Sequence, residues 1–136
     1  MTVEELTKRI IDIARGAGLM TGATMEYRFF ENSYDDLVYN ENLKALLKQN
    51  LQDLGVGPFA PRNNESVGST DIGNVSHKCP TVYAEIDVEA NPSAFAHDYE
   101  FLKYVQGPNS DKTLINSIKA MAYTGLQVFQ NPDLLK

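Results

Sequence analysis

Residues 68–80, GSTDIGNVSHKCP, gather an aspartate, an asparagine, three hydroxyl side chains, a histidine and the chain's single cysteine. Several chemistries are open to such a set. Cys79 and His77 would share one face of a strand, but a thiol nucleophile also needs a third group to orient the imidazole. Pro80 follows at once and 81–86 has a buried pattern, so Cys79 fits better as a small core residue. His77 and His97 are the two histidines. No HExxH or HxH pair is present, and a hydrolytic zinc site generally needs three protein ligands and an open position. The glycine-rich pieces GVGP and GSTDIG lack the spacing of phosphate-binding loops. A capped turn opening a short helix would explain the polarity of 68–76 without any ligand. Asp98 and Glu100, beside His97, fit equally as groups that orient its ring or as solvated charges.

The elements around this stretch limit what it can be. The chain has 136 residues and 15.1 kDa, the size of one ordinary domain. With 43% hydrophobic and 22% charged residues the composition is that of a soluble globular protein. A net charge of -6 and the lack of a Lys/Arg cluster argue against nucleic acid or an anionic membrane as partner. No apolar run approaches the ~20 residues needed to span a bilayer. The segment MTVEELTKRI has no apolar signal core, and one cysteine excludes an intrachain disulfide and any CxxC zinc site. A cytoplasmic location is expected.

Residues 2–18 predict a helix, with Thr2 and Glu5 as a capping box and Leu6, Ile10, Ile13 and Ala17 on one face. Residues 24–30, TMEYRFF, alternate Met25, Tyr27 and Phe29 with polar residues, as a half-buried strand does. Asn40 or Asn42 can cap a helix whose stripe is Leu43, Leu46, Leu47, Leu51 and Leu54, closed by Gly55. Residues 55–69 predict a loop and 81–86, TVYAEI, a second strand. A last helix is expected from Asp111 to Gln130, with Leu114, Ile118, Met121, Gly125 and Phe129 facing the core and Asn131–Pro132 ending it. This predicts an α/β chain, yet its two strands stand too far apart to form a hairpin. The imbalance implies a piece of a larger assembly, or oligomerisation.

Residues 68–76, GSTDIGNVS, followed by Pro80, resemble the GSTD-x-GNVS loop of the zinc metallopeptidase and amidohydrolase family that includes aminoacylase, carboxypeptidase G, dipeptidases and aminobenzoyl-glutamate hydrolase. Ala96-His97-Asp98 falls where that family has a histidine shortly after a strand. IKAMAYTGLQVFQNPDLL resembles the family's last helix, ARGAGLMTGATMEYRF the end of its small lid domain, and NENLKALLKQNLQDLG the helix that re-enters its catalytic domain. The resemblance covers nearly the whole chain, in order.

It implies an α/β fold in which residues 1–31 are the last helix and strand of a ferredoxin-like lid or dimerisation domain, and 34–136 the C-terminal part of a catalytic domain. It also implies a homodimer, and hydrolysis of the amide bond of N-acyl amino acids or short peptides by water activated between two zinc ions. His97 is the metal ligand that maps onto this chain. Gly68, Ser69, Thr70, Asp71, Gly73, Asn74 and Ser76 would form a substrate-side loop. The family's other ligands and its general base have no counterpart here, so no catalytic residue is assigned and the isolated chain is expected to be inactive without the missing N-terminal half. The alternative is a truncated module that folds and dimerises without enzymatic activity. A hydrolase built on Cys79 and His77 is a further, different reading.

Overall fold

The computed structural model describes residues 2–59, 68–91, 94 and 96–136. Part of the loop expected over 55–69 lies outside the described residues. The chain divides into two compact units, Met1–Ser33 and Tyr34–Lys136. Its regular elements are helices: α1 (Val3–Thr21), α2 (Glu41–Asp53), the short α3 (Ile72–Ser76) and α4 (Pro108–Gln130). Tight 3-10 turns span Tyr99–Lys103 and Pro132–Leu135. None of the described helices is long and apolar enough to cross a membrane.

In the first unit, the capping box forms as expected. Thr2 Oγ1 accepts from the Glu5 N–H at 3.2 Å, and Glu5 Oε2 accepts from the Thr2 N–H at 2.9 Å. These bonds satisfy N–H groups that a helix start leaves without partners. The helix runs past Gly16 and Gly18 and stops at Gly22, whose φ of 72° is left-handed. Buried Gly18 lets the chain fold back on the helix, since a Cβ there would lie 3.0 Å from the Ala23 carbonyl oxygen. Tyr27 and Phe29 sit edge to face with ring centroids 6.1 Å apart, but both are exposed rather than half-buried as the alternation in 24–30 led one to expect. The Arg15 guanidinium lies 5.9 Å from the Tyr27 centroid. The same two rings and Val3, Thr7 and Ile11 of α1 line a shallow groove. Leu6, Ile10 and Ile13, the stripe expected to be covered, are exposed.

The second unit is built on α2 against α4, closed by the C-terminal turn. Asn40 organises one end. Its Oδ1 accepts from the Leu43 N–H at 2.8 Å and caps α2, its Nδ2 donates to the Leu135 carbonyl at 2.9 Å, and its own N–H donates to the Thr81 carbonyl at 3.0 Å. Gly55, at φ 76°, closes α2 as expected. The expected leucine stripe points inward: Leu51 is 2% exposed, and Leu43, Leu46, Leu47 and Leu54 are half-buried.

The contact face of α4 differs from expectation. Ala120 and Thr124 are buried, whereas Leu114, Ile118, Met121 and Phe129 are 59%, 53%, 69% and 88% exposed. The reason lies in side-chain size and hydrogen bonding. Buried Asn50 on α2 donates through Nδ2 to Thr124 Oγ1 at 2.9 Å and to Gln127 Oε1 at 2.7 Å. Ala120, one turn before Thr124, leaves room for close approach. A buried amide must find partners, and that requirement aligns the helix on its small polar face. The helix also starts one turn earlier than expected. Gly107 at φ 127° precedes Pro108, and proline is well tolerated at the first helical position because its missing N–H would have no partner there anyway.

Neither strand expected at 24–30 or 81–86 forms a ladder, and the described residues contain no β-strand. The structure is mostly helical among those residues, where an α/β chain was expected. A strand exists only through the N–H and C=O groups of a neighbour. The Asn40–Thr81 bond is a single link of that kind and propagates into no ladder.

Candidate functional site

The loop 68–76 enters α3, a helix of five residues. So short a helix gains too few internal hydrogen bonds to offset the cost of its first turn, and needs outside support. The support comes from residues 35–38. Asn74 Oδ1 accepts from the Asp35 N–H at 3.3 Å, while Asn74 Nδ2 donates to Asp35 Oδ2 at 3.1 Å. Ser76 Oγ donates to the Gly73 carbonyl at 2.6 Å and accepts from the Val38 N–H at 2.9 Å. Gly73 is buried against backbone: a Cβ there would overlap the Asp35 carbonyl oxygen and lie 2.8 Å from its carbonyl carbon. Close approach, with no positive φ, is what this glycine supplies.

The candidate loop residues therefore divide into two sets. Gly73, Asn74 and Ser76 face the segment 35–38. Gly68, Ser69 and Asp71 are exposed, and Thr70, half-buried, accepts from the Ile72 N–H at 3.4 Å through Oγ1. Asp71 stands at the N-terminal end of α3 without capping it, so its carboxylate is not committed to the helix. His77 Nε2 lies 3.0 Å from the Asp36 carbonyl oxygen and 3.2 Å from Asp36 Oδ1. Cys79 is exposed, with Sγ 3.7 Å from the Val75 carbonyl and 3.9 Å from Thr81 Oγ1. It is not the buried core residue its surroundings suggested. His77 turns to Asp36, so the described contacts of Cys79 do not make a thiol–imidazole pair.

His97 is exposed, at φ 78°, in the turn before Tyr99–Lys103. Of the carboxylates beside it in sequence, Glu100 is taken by Lys103 at 2.6 Å. The hydrogen bond and charge of Glu100 raise the Lys103 ammonium above its ordinary value. Among the described residues, no three or more His, Cys, Asp and Glu side chains converge on a point where a metal would be held.

Sequence reasoning missed the role of residues 35–38. The signal was present in Asn74 and Ser76, short polar side chains flanking a helix too short to stand alone, with Gly73 making room.

Comparison with known proteins gives one clear likeness. The chain is 28% identical to Xaa-Arg dipeptidase of Homo sapiens over 98% of its own length and 31% of that protein's, with the same figures for the Mus musculus protein of that name. It is similar to the Xaa-Arg dipeptidases. It spans about a third of the length of these curated relatives. No family model matches the chain, and no solved structure matches it.

Proposed function

We propose that the chain is the C-terminal portion of a metal-dependent dipeptidase or amidohydrolase that cleaves the amide bond of short peptides or N-acyl amino acids. The observation that carries this reading is the likeness to Xaa-Arg dipeptidases along 98% of the chain, set against coverage of 31% of those proteins. On this reading residues 1–31 end a lid domain and 34–136 complete a catalytic domain, in a cytoplasmic homodimer. The apolar side chains exposed on α1 and α4, and the segments 24–30 and 81–86 without ladders among the described residues, accord with a chain that needs more polypeptide around it.

Zinc, when bound in such an enzyme, supplies an activated water and a polarised carbonyl. On this reading His97 is this chain's ligand to the metal, and the remaining donors and the general base belong to polypeptide outside these residues. The same reading assigns the substrate side to the exposed end of the 68–76 loop, where Ser69 and Asp71 face solvent ahead of α3.

A second reading is a truncated module that folds and dimerises without activity. One experiment separates the two. The chain, and a longer polypeptide that includes the coding sequence directly upstream, are purified with zinc and assayed on arginine-ending and other dipeptides. The longer protein is expected to hydrolyse them and to lose activity in His97→Ala, with the 136-residue chain inactive. An upstream sequence without His, Asp and Glu ligand segments, or an inactive longer protein, would sink the enzyme reading.

A further inference from the structure

We infer that Asp35 is a positioning residue for the substrate-side loop, acting through Asn74; the inference rests on the assignment of 68–76 to the substrate side. Ser69 and Asp71 are followed directly by α3, and Thr70 ties the loop to the first residue of that helix. Where those exposed groups stand is thus decided by where α3 stands. As five residues do not hold themselves helical, α3 takes its place from residues 35–38.

Three contacts made from within α3 set that place, and among the described residues the Asn74–Asp35 pair is the one of the three that uses a side chain of the 35–38 segment; His77, at the end of the helix, also meets the Asp36 carbonyl and Oδ1. Ser76 holds the Val38 N–H, and Gly73 lies against the Asp35 carbonyl; both act on backbone and would be available with any residue at 35. The Asn74 amide is different. It can present either end to residue 35, and the Asp35 carboxylate selects the arrangement by accepting from Nδ2, leaving Oδ1 to receive the Asp35 N–H. A reciprocal pair of this kind fixes direction as well as distance. A carboxylate as acceptor makes the bond stronger than a neutral one would. Asp35 is exposed, so apolar burial does not account for an effect of changing its side chain.

Charge exchange across the pair provides the test. Asn74→Asp sets two carboxylates against each other, and Asp35→Asn in the same protein restores a donor to one side and an acceptor to the other. On the 136-residue chain, amide hydrogen exchange at 69–76 is expected to speed up about tenfold in Asn74→Asp and to return within about twofold in the double variant. In the longer polypeptide, Asn74→Asp is expected to raise KM about tenfold with kcat changed less than twofold, and the double variant to recover KM. Exchange unaffected by Asn74→Asp, or unrelieved in the double variant, overturns the positioning role whatever the activity. So does a kcat that falls while KM stays fixed. If the unaltered longer protein cleaves no dipeptide, the functional assignment falls, and the exchange pattern still decides whether Asp35 sets the loop.

Discussion

Gly73→Ala offers the sharpest test of how the loop is held. Two effects oppose each other. Alanine favours helix over glycine by up to about 1 kcal/mol in an interior position, so an unobstructed substitution would stabilise. At residue 73, however, the added Cβ would overlap the Asp35 carbonyl oxygen and lie 3.3 Å from the Asp36 carbonyl carbon. Both obstacles are backbone and cannot swing aside. Relief requires α3 to move off the segment 35–38, which breaks the Asn74–Asp35 pair and the Ser76–Val38 bond. Each hydrogen bond contributes about 1 kcal/mol net, and overpacking against unyielding neighbours costs about 1–3 kcal/mol. After subtraction of the helix gain, the net destabilisation is about 3–5 kcal/mol, so the clash wins. Urea unfolding followed by far-UV circular dichroism should show a lower midpoint with the slope retained. Amides 35–38 and 72–76 should lose protection together. A midpoint equal to or above that of the parent would refute the close-approach argument.

Other substitutions probe the remaining features. Gly125→Ala lies in α4 with nothing within 4 Å of the added carbon; it should raise unfolding stability by up to about 1 kcal/mol, whereas a loss would restore the face first expected to be buried. Asn50→Ala deprives Thr124 and Gln127 of their donor and should cost about 1–3 kcal/mol in the same urea experiment. His97→Ala, at an exposed turn, should leave the urea midpoint of the chain within about 0.5 kcal/mol of the parent, while calorimetric titration of the parent chain with zinc should show no tight stoichiometric binding. Alkylation of exposed Cys79 should proceed in the folded chain and leave hydrolysis by the longer protein largely intact; abolition would revive the thiol.

What could be read from sequence follows the range of the interactions involved. The Thr2–Glu5 capping box, the Asn40 cap, Gly55 after α2 and the stop at Asn131 are settled by groups within a few residues of each other, and these agree with the structure. The leucine stripe of α2 was also legible, since it is both the most apolar face and the one in contact. On α4 those two criteria part. Counting apolar residues selects Leu114, Ile118 and Met121, but contact with α2 depends on the small volume of Ala120 and on an amide 74 positions away from Thr124. The expected strands failed to form for a related reason: alternation predicts which way side chains point, and a ladder needs a neighbour that the pattern does not name. At the candidate site, the motif 68–76 marked the loop, while the partner that holds it, Asp35, sat in a segment with no periodicity to draw attention to it.

The α2–α4 seam also has a consequence in time. Asn50 must reach Thr124 across 74 residues, and Asn40 reaches Leu135 across 95. Joining such distant points costs loop-closure entropy before any contact returns stability, and contacts of this kind slow folding. During synthesis α2 emerges well before the helix that covers it, so Leu51 and Asn50 remain without their α4 partners until α4 has been made. The central packing of this unit is therefore a late event, and a helper that shields the leucine face of α2 would act in that interval.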